Sequence, residues 1–186
     1  MQYQLVTKNH TRRAQVEQFI CERYWLSFKA CLSQLPDTLL AVNDHEQLVA
    51  ACGLQFAEQR TLFSECYLNK PLTSHDIAGL PMPKRDEIAE VGSMAAVSAV
   101  YLPTLFAAIV RALEVHQRSA VVFTATRYLQ LKLERSGIAL SYLADATQSA
   151  LPGELQNLWG DYYQHQPRVL AGWTHQGQPD VKAMAC

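Results

Sequence analysis

Glu90 is the residue in this sequence that most needs a chemical explanation. It lies in Ile88-Ala-Glu-Val-Gly92-Ser93-Met94-Ala95, a run that is otherwise apolar or small and reads as a strand. A carboxylate drawn out of water either meets a cation or holds its proton more tightly than in solution. Arg23 and Lys84 are the cations that would make Glu90 half of an architectural salt bridge. Left unpaired, Glu90 would instead be a proton acceptor tuned toward neutral pH. Gly92, Ser93, Ala95 and Ala96 carry so little side chain that a thin ligand can approach the backbone beside that carboxylate.

Other chemistries are poorly supplied. The histidines, His10, His45, His75, His116, His165 and His175, never fall at a ligand spacing such as H-x-x-x-H, and no metal site is expected. No G-x-S-x-G elbow precedes a helix. Cys52 and Cys66 carry potential nucleophiles, but a thiol in an apolar strand is ordinarily core packing.

The elements that must position Glu90 follow from periodicity. Val16, Phe19, Ile20, Tyr24 and Phe28 recur every three or four residues, which predicts an amphipathic helix running to about Leu32. Thr38–Val42 and Leu48–Leu54 flank the turn-forming Asn43-Asp44-His45 and predict a β-hairpin. Residues 71–87, with three prolines and a glycine, read as a surface loop or short helix. Strands over Ile88–Ala95, Ala120–Thr124 and Ile138–Leu143 then alternate with helices over Leu102–Gln117, where Pro103 suits the first turn, and Tyr128–Ser136, stopped by Gly137. Strands alternating with helices imply parallel or mixed pairing with helices on the faces, an α/β (α+β) sandwich. The aromatic cluster Trp159, Tyr162, Tyr163 and Trp173 is expected to close the core.

Composition sets the wider frame. The 186 residues are 49% hydrophobic, with sixteen Lys and Arg against seventeen Asp and Glu and no long run of either sign. That fits one globular domain over residues 1–173, followed by a polar tail over 174–186 with a disordered composition, and it argues against nucleic acid as a partner. Five widely spaced cysteines without C-x-x-C, and an N-terminus without an apolar signal region, predict reduced thiols and a cytoplasmic protein. Met94–Val110 is interrupted by Ser98, Tyr101 and Pro103 and falls short of the ~20 residues that span a bilayer.

Several strings resemble the thermostable hemolysin family. They are Glu22-Arg23-Tyr24, Pro36-Asp37-Thr-Leu-Leu40, Ala51-Cys-Gly-Leu54, Leu62-Phe63 with Glu65 and Tyr67-Leu68, Glu90-Val-Gly92 with Met94-Ala95, and Trp159-Gly160 with Tyr162-Tyr163 and Pro167. Their shared order, over residues 15–173, carries the resemblance. It implies a single-domain acyl-CoA N-acyltransferase-like fold, a mixed sheet flanked by helices, with acyl-homoserine lactone synthases as characterised relatives. In that fold the fourth and fifth strands splay apart and the pantetheine arm of the acyl carrier lies between them. The implied activity is transfer of an acyl group from a thioester, acyl-CoA or acyl carrier protein, to a small amine-type acceptor. On this reading Glu90 is the base, the backbone of Gly92, Ser93, Met94 and Ala95 lines the thioester site, and Arg23, Asp37 and Glu65 fall on the acceptor side. The acyl donor is a co-substrate, and no bound cofactor is expected.

The sequence also departs from that pattern. Met94–Leu102 contains no glycine, whereas acetyl-CoA-using members carry a glycine loop whose amides hold the pyrophosphate. Leu133 stands where such enzymes often have a tyrosine acid, and Tyr128 replaces it only if turned inward. Ser93 stands where homoserine lactone synthases have an arginine, so a homoserine lactone product is not expected. The family name raises an alternative, a membrane-active or non-catalytic binding protein on the same scaffold. The chain lacks a convincing membrane-inserting amphipathic segment, so lysis would be indirect, through lipid modification or a surfactant product.

Overall fold

A computed structural model describes residues 1–176 of the chain. Its elements in chain order are β1 (Gln2–Val6), α1 (Arg13–Phe28), β2 (Thr38–Asp44), β3 (Gln47–Phe56), β4 (Ile88–Ala96), α2 (Leu102–Val115), β5 (Ala120–Ala125), α3 (Arg127–Arg135), β6 (Ser141–Asp145), the one-turn α4 (Gly153–Gln156) and β7 (Arg168–Trp173). The seven strands form one mixed sheet in the order β1-β2-β3-β4-β5-β7-β6. Among the described residues only β4 and β5 pair in parallel. The expected α/β sandwich is therefore the observed one.

Two strands had no counterpart in the sequence reading. β1 pairs with β2 at the sheet edge, and its first three residues are exposed, so it lacks a buried alternation. β7 returns after the 146–166 segment and inserts antiparallel between β5 and β6, a pairing that local pattern does not encode. The last predicted strand also shifts, from Ile138–Leu143 to Ser141–Asp145; Ile138 and Leu140 pack against the core ahead of it.

The sheet buries both faces. Leu54, Ala89, Val91 and Phe123 pack against Leu105, Ile109, Ala112 and Leu113 of α2 and Leu133 of α3. On the other face, Val16, Ile20 and Tyr24 of α1 cover Leu39, Ala41, Ala51 and Ala95. Beside α1, Leu62, Leu72, Ile77 and Met82 from residues 57–87 and Leu151 from the later segment cover Ile88, Val122, Val169 and Ala171. Residues 71–87, expected as a surface loop or short helix, carry two 3-10 turns and a two-residue β-ladder, and together with residues 57–70 supply that core with apolar side chains.

α1 ends at Lys29, whose φ of 56° turns the chain, with N–H groups of Lys29 and Ala30 donating to the carbonyls of Trp25 and Tyr24. The 158–161 segment is laced onto this terminus. Cys31 N–H donates to Leu158 O at 2.6 Å and Asp161 N–H to Phe28 O at 2.7 Å. Gly160 makes the approach possible: at φ 48°, a Cβ there would lie 2.2 Å from Phe28 O. At the C-terminal end Thr174–Gln176 form a 3-10 turn, with the Thr174 hydroxyl donating to Arg118 O; positions 177–186 of the expected polar tail lie outside the described residues.

Candidate active site

The sheet opens beside Glu90. β4 and β5 pair from Ile88/Ala120 to Val91/Phe123 and no further. Beyond that point β4 stays with β3 and β5 stays with β7. From Gly92 onward, the edge of β4 toward β5 has no strand beside it among the described residues. Across β3, Ser93 and Met94 stand where Cys52 alone is opposite, a β-bulge, and Ser93 takes the left-handed φ of 51°. A non-glycine residue held there costs on the order of 1 kcal/mol, a strain that re-aims the backbone of the opened edge.

A cleft of about 280 Å³ lies over this opening, close to the lower end of the ~300–1,000 Å³ usual for small-ligand sites. Its wall includes Tyr24, Phe63, Tyr67, Trp159 and Tyr162, and its floor includes Glu90, Gly92, Ser93 and Thr124. The rings brace one another: Trp159 lies 5.2 Å from Tyr162 and 5.5 Å from Phe63 between centroids. Burial pushes the phenols of Tyr24, Tyr67 and Tyr162 up, so all three stay protonated at neutral pH. Tyr67 and Tyr163 share a hydrogen bond of 2.6 Å, while the Tyr24 hydroxyl has no partner among the described residues.

Glu90 is 6% exposed, and among the described residues no cation pairs with it. The salt bridge to Arg23 or Lys84 is absent. Instead the carboxylate caps a 3-10 turn, Phe63–Tyr67: Phe63 N–H donates to Oε2 at 2.7 Å, and Ser64 N–H to Oε1 at 2.7 Å. The Ser64 hydroxyl also donates to Oε1, and Ser64 Oγ lies 2.9 Å from Thr124 Oγ1 on β5. Burial pushes the Glu90 pKa up, against the pull of these donors, and the charge of nearby Glu65 adds to the rise.

The cleft gathers some of the residues singled out by sequence and leaves others aside. Glu90, Gly92 and Ser93 line it. Met94 faces the opposite side of the sheet and lines an apolar cavity of about 50 Å³ with Phe106, Phe123 and Leu133, while Ala95 is packed beneath α1. Arg23 is half-buried and off the cleft wall, because Val16, Ile20 and Tyr24 set the inward face of α1 and turn Tyr24 into the cleft. Asp37 stands behind the rim, where it pairs with Lys8 at 2.9 Å and with Arg60 at 3.0 Å; the Lys8 ammonium chiefly lowers its pKa. Arg60 itself lines the cleft. Burial opposes the ionisation of Glu65, but Arg85 and the Leu62 N–H outweigh it and lower its pKa; Arg85 donates to both Glu65 oxygens, at 2.8 and 3.0 Å. Tyr128 is 60% exposed and beneath the Lys132 ammonium rather than turned inward, and Leu133 is core.

Ser64 and Thr124 were not singled out by sequence. They lie 26 and 34 residues from Glu90 in opposite directions, and only the sheet opening and the 57–87 segment bring them together. Cys52 and Cys66 are unsuited to nucleophilic attack: burial pushes both thiols up, Cys66 to about 11. Among the described residues no group of three or more His, Cys, Asp or Glu side chains is placed to hold a metal, and no helix is long and apolar enough to cross a membrane.

The profile of the thermostable hemolysin family matches residues 6–178. The chain belongs to that family. No curated protein matches it by sequence. Among solved structures, TofI in an apo form superposes with a TM-score of 0.62 at 12% identity, covering 99% of this chain and 96% of its own. FeeM, an N-acyl amino acid synthase from uncultured soil microbes, has a TM-score of 0.60 at 10% identity, covering 94% and 91%. MesI, a CoA-dependent acyl-homoserine lactone synthase, has a TM-score of 0.55 at 14% identity, covering 98% and 93%. This family member therefore has the fold of these three proteins.

Proposed function

We propose that this protein is an acyltransferase that moves an acyl group from a thioester carrier to a small amine-type acceptor. The observation that carries the reading is the opened β4 edge, bulged at Ser93 and Met94, with a buried carboxylate that no cation among the described residues pairs with at the base of an aromatic cleft. A pantetheine arm laid along that edge would add backbone hydrogen bonds where β4 has no neighbour. The thioester carbonyl would meet the amides around Ser93 and Met94, which would stabilise the developing oxyanion.

The acceptor would lie among the rings. An amine arrives as its ammonium ion, which aromatic faces attract and a raised-pKa carboxylate can deprotonate. The free amine then attacks the carbonyl, and the thiolate departs with a proton from the amine nitrogen. The acyl chain would reach toward the apolar cavity behind Val91, a residue common to both cavities. The names of MesI and FeeM, one CoA-dependent and both acyl-transferring, support a thioester donor and an amine acceptor. The glycine-free segment after β4 favours a donor held by its pantetheine arm over one gripped at a pyrophosphate, and so favours acyl carrier protein over CoA.

Thiol release tests this reading. The protein is incubated with acyl-CoAs and acyl carrier proteins of short, medium and long chain, against amino acids, amino-lactones and simple amines. Release that requires both donor and acceptor is expected for one donor class. Absence of release with every pair, together with lysis of liposomes in the absence of any acyl donor, would instead establish a lytic protein.

A further inference from the structure

Resting on the acyltransferase reading, we propose that Thr124 and Ser64 form a hydroxyl relay that carries the acceptor's proton from the cleft to Glu90. The hydrogens can be counted. Glu90 accepts from Phe63 N–H on Oε2 and from both the N–H and the hydroxyl of Ser64 on Oε1. Ser64 has a single hydroxyl hydrogen, and Glu90 takes it. In the 2.9 Å contact between Ser64 Oγ and Thr124 Oγ1, Thr124 is therefore the donor.

That assignment leaves Thr124 Oγ1 with lone pairs and no hydrogen left to give. Ser64 is 1% exposed and absent from the cleft wall, whereas Thr124 lines the cleft. Thr124 thus presents to the cleft an acceptor backed by the Ser64 hydroxyl and, behind it, the Glu90 carboxylate. The main chain fixes it from the other side, since the Tyr162 hydroxyl donates to Thr124 O at 3.3 Å.

The step balances. The ammonium N–H passes its proton to Thr124 Oγ1, the Thr124 proton moves to Ser64 Oγ, and the Ser64 proton moves to Glu90 Oε1. The nitrogen keeps its electron pair and forms the new bond to the thioester carbonyl. The C–S bond breaks, the thiolate takes the second amine proton, and Glu90 returns the first to solvent. Thr124 is the catalytic group that touches the acceptor, and Ser64 is a positioning and relay residue behind it.

Thr124→Val keeps the β-branched shape on the strand and removes the hydroxyl. Expected is a fall of 10- to 100-fold in kcat, on the order of part of a general-base contribution, with KM little changed. A proton inventory in mixed H2O and D2O should change from bowed in the wild type to linear in Thr124→Val, and Thr124→Ser should restore most of the rate. Retention of full kcat by Thr124→Val, or an inventory that does not change, overturns the relay and leaves Glu90 to act directly. The hydrogen-bond chain is also read without turnover, from the Glu90 carboxylate band in difference infrared titrations. Ser64→Ala should raise the Glu90 pKa, and Thr124→Val should move it the same way by less. A titration unmoved by Thr124→Val refutes the chain even where turnover persists, whereas shifted titrations with no thiol release from any donor would preserve the chain and refute the acyltransferase reading.

Discussion

Exchanging Glu90 for glutamine removes the charge and nearly preserves the shape. The amide oxygen can still accept from the Ser64 N–H and hydroxyl, but the amide nitrogen then faces the Phe63 N–H, donor against donor. Losing that charge-assisted bond costs roughly 1.5–3 kcal/mol, and relief of a buried charge offsets part of it. A net change under about 2 kcal/mol lowers the melting temperature by less than about 8 °C for a domain of this size. The fold should survive, while acyl transfer should fall by roughly 10²–10⁴. The pH dependence has a definite sign. Burial holds the Glu90 pKa above its ordinary 4.5, so the folded chain keeps this proton longer than the unfolded chain does. Wild-type stability should then decline relative to Glu90→Gln as pH rises from 4.5 through the folded value, and level off above it. Activity should climb over that same window, since only the carboxylate accepts a proton. Paired thermal melts and rate profiles measure both trends. Turnover within a few-fold of wild type in a folded Glu90→Gln protein would refute Glu90 as the base.

Other perturbations separate the scaffold from the site. Gly160→Ala should cost about 2–4 kcal/mol by chemical denaturation, combining left-handed strain with the collision against Phe28 O; a loss below about 1 kcal/mol would contradict the account of how the aromatic wall is anchored. Arg85→Met should destabilise by about 1 kcal/mol at neutral pH after allowance for solvent screening, and the gap should close as pH falls below 4.5 through the lowered Glu65 value; a pH-independent gap would assign the loss to packing. Met94→Trp should fill the apolar cavity behind Val91 and shift donor preference toward shorter acyl chains, and an unchanged chain-length profile would place the acyl group elsewhere.

The legible parts of this protein are those whose signal is local. Glu90 was conspicuous because a charge interrupts an apolar strand, and α1, the β2–β3 hairpin, β4, α2, β5 and α3 each carried their own periodicity. The ordered strings from Glu22 to Pro167 pointed to the family that the profile match establishes. The less legible parts depend on distant pairing. β7 is recognisable only once β5 and β6 leave a gap for it, and Ser64 meets Thr124 only across the folded sheet. Tyr24 is an intermediate case: its place four residues beyond Ile20 on the apolar face of α1 already turned it inward and Arg23 aside.

The most direct test of the central claim uses Gly92. A Cβ built there meets nothing within 4 Å, so Gly92→Val should leave the fold intact while projecting methyl groups from the sheet face into the cleft beside the opened edge of β4. Native mass spectrometry of both proteins, titrated with the same acyl-CoAs and acyl carrier proteins, is the measurement. The expected result is saturable binding of one acyl-thioester class by the wild type and loss of that binding in a Gly92→Val protein whose melting temperature stays within about 4 °C, the equivalent of roughly 1 kcal/mol. Equal binding by both proteins, or none by the wild type, would contradict a thioester site along β4.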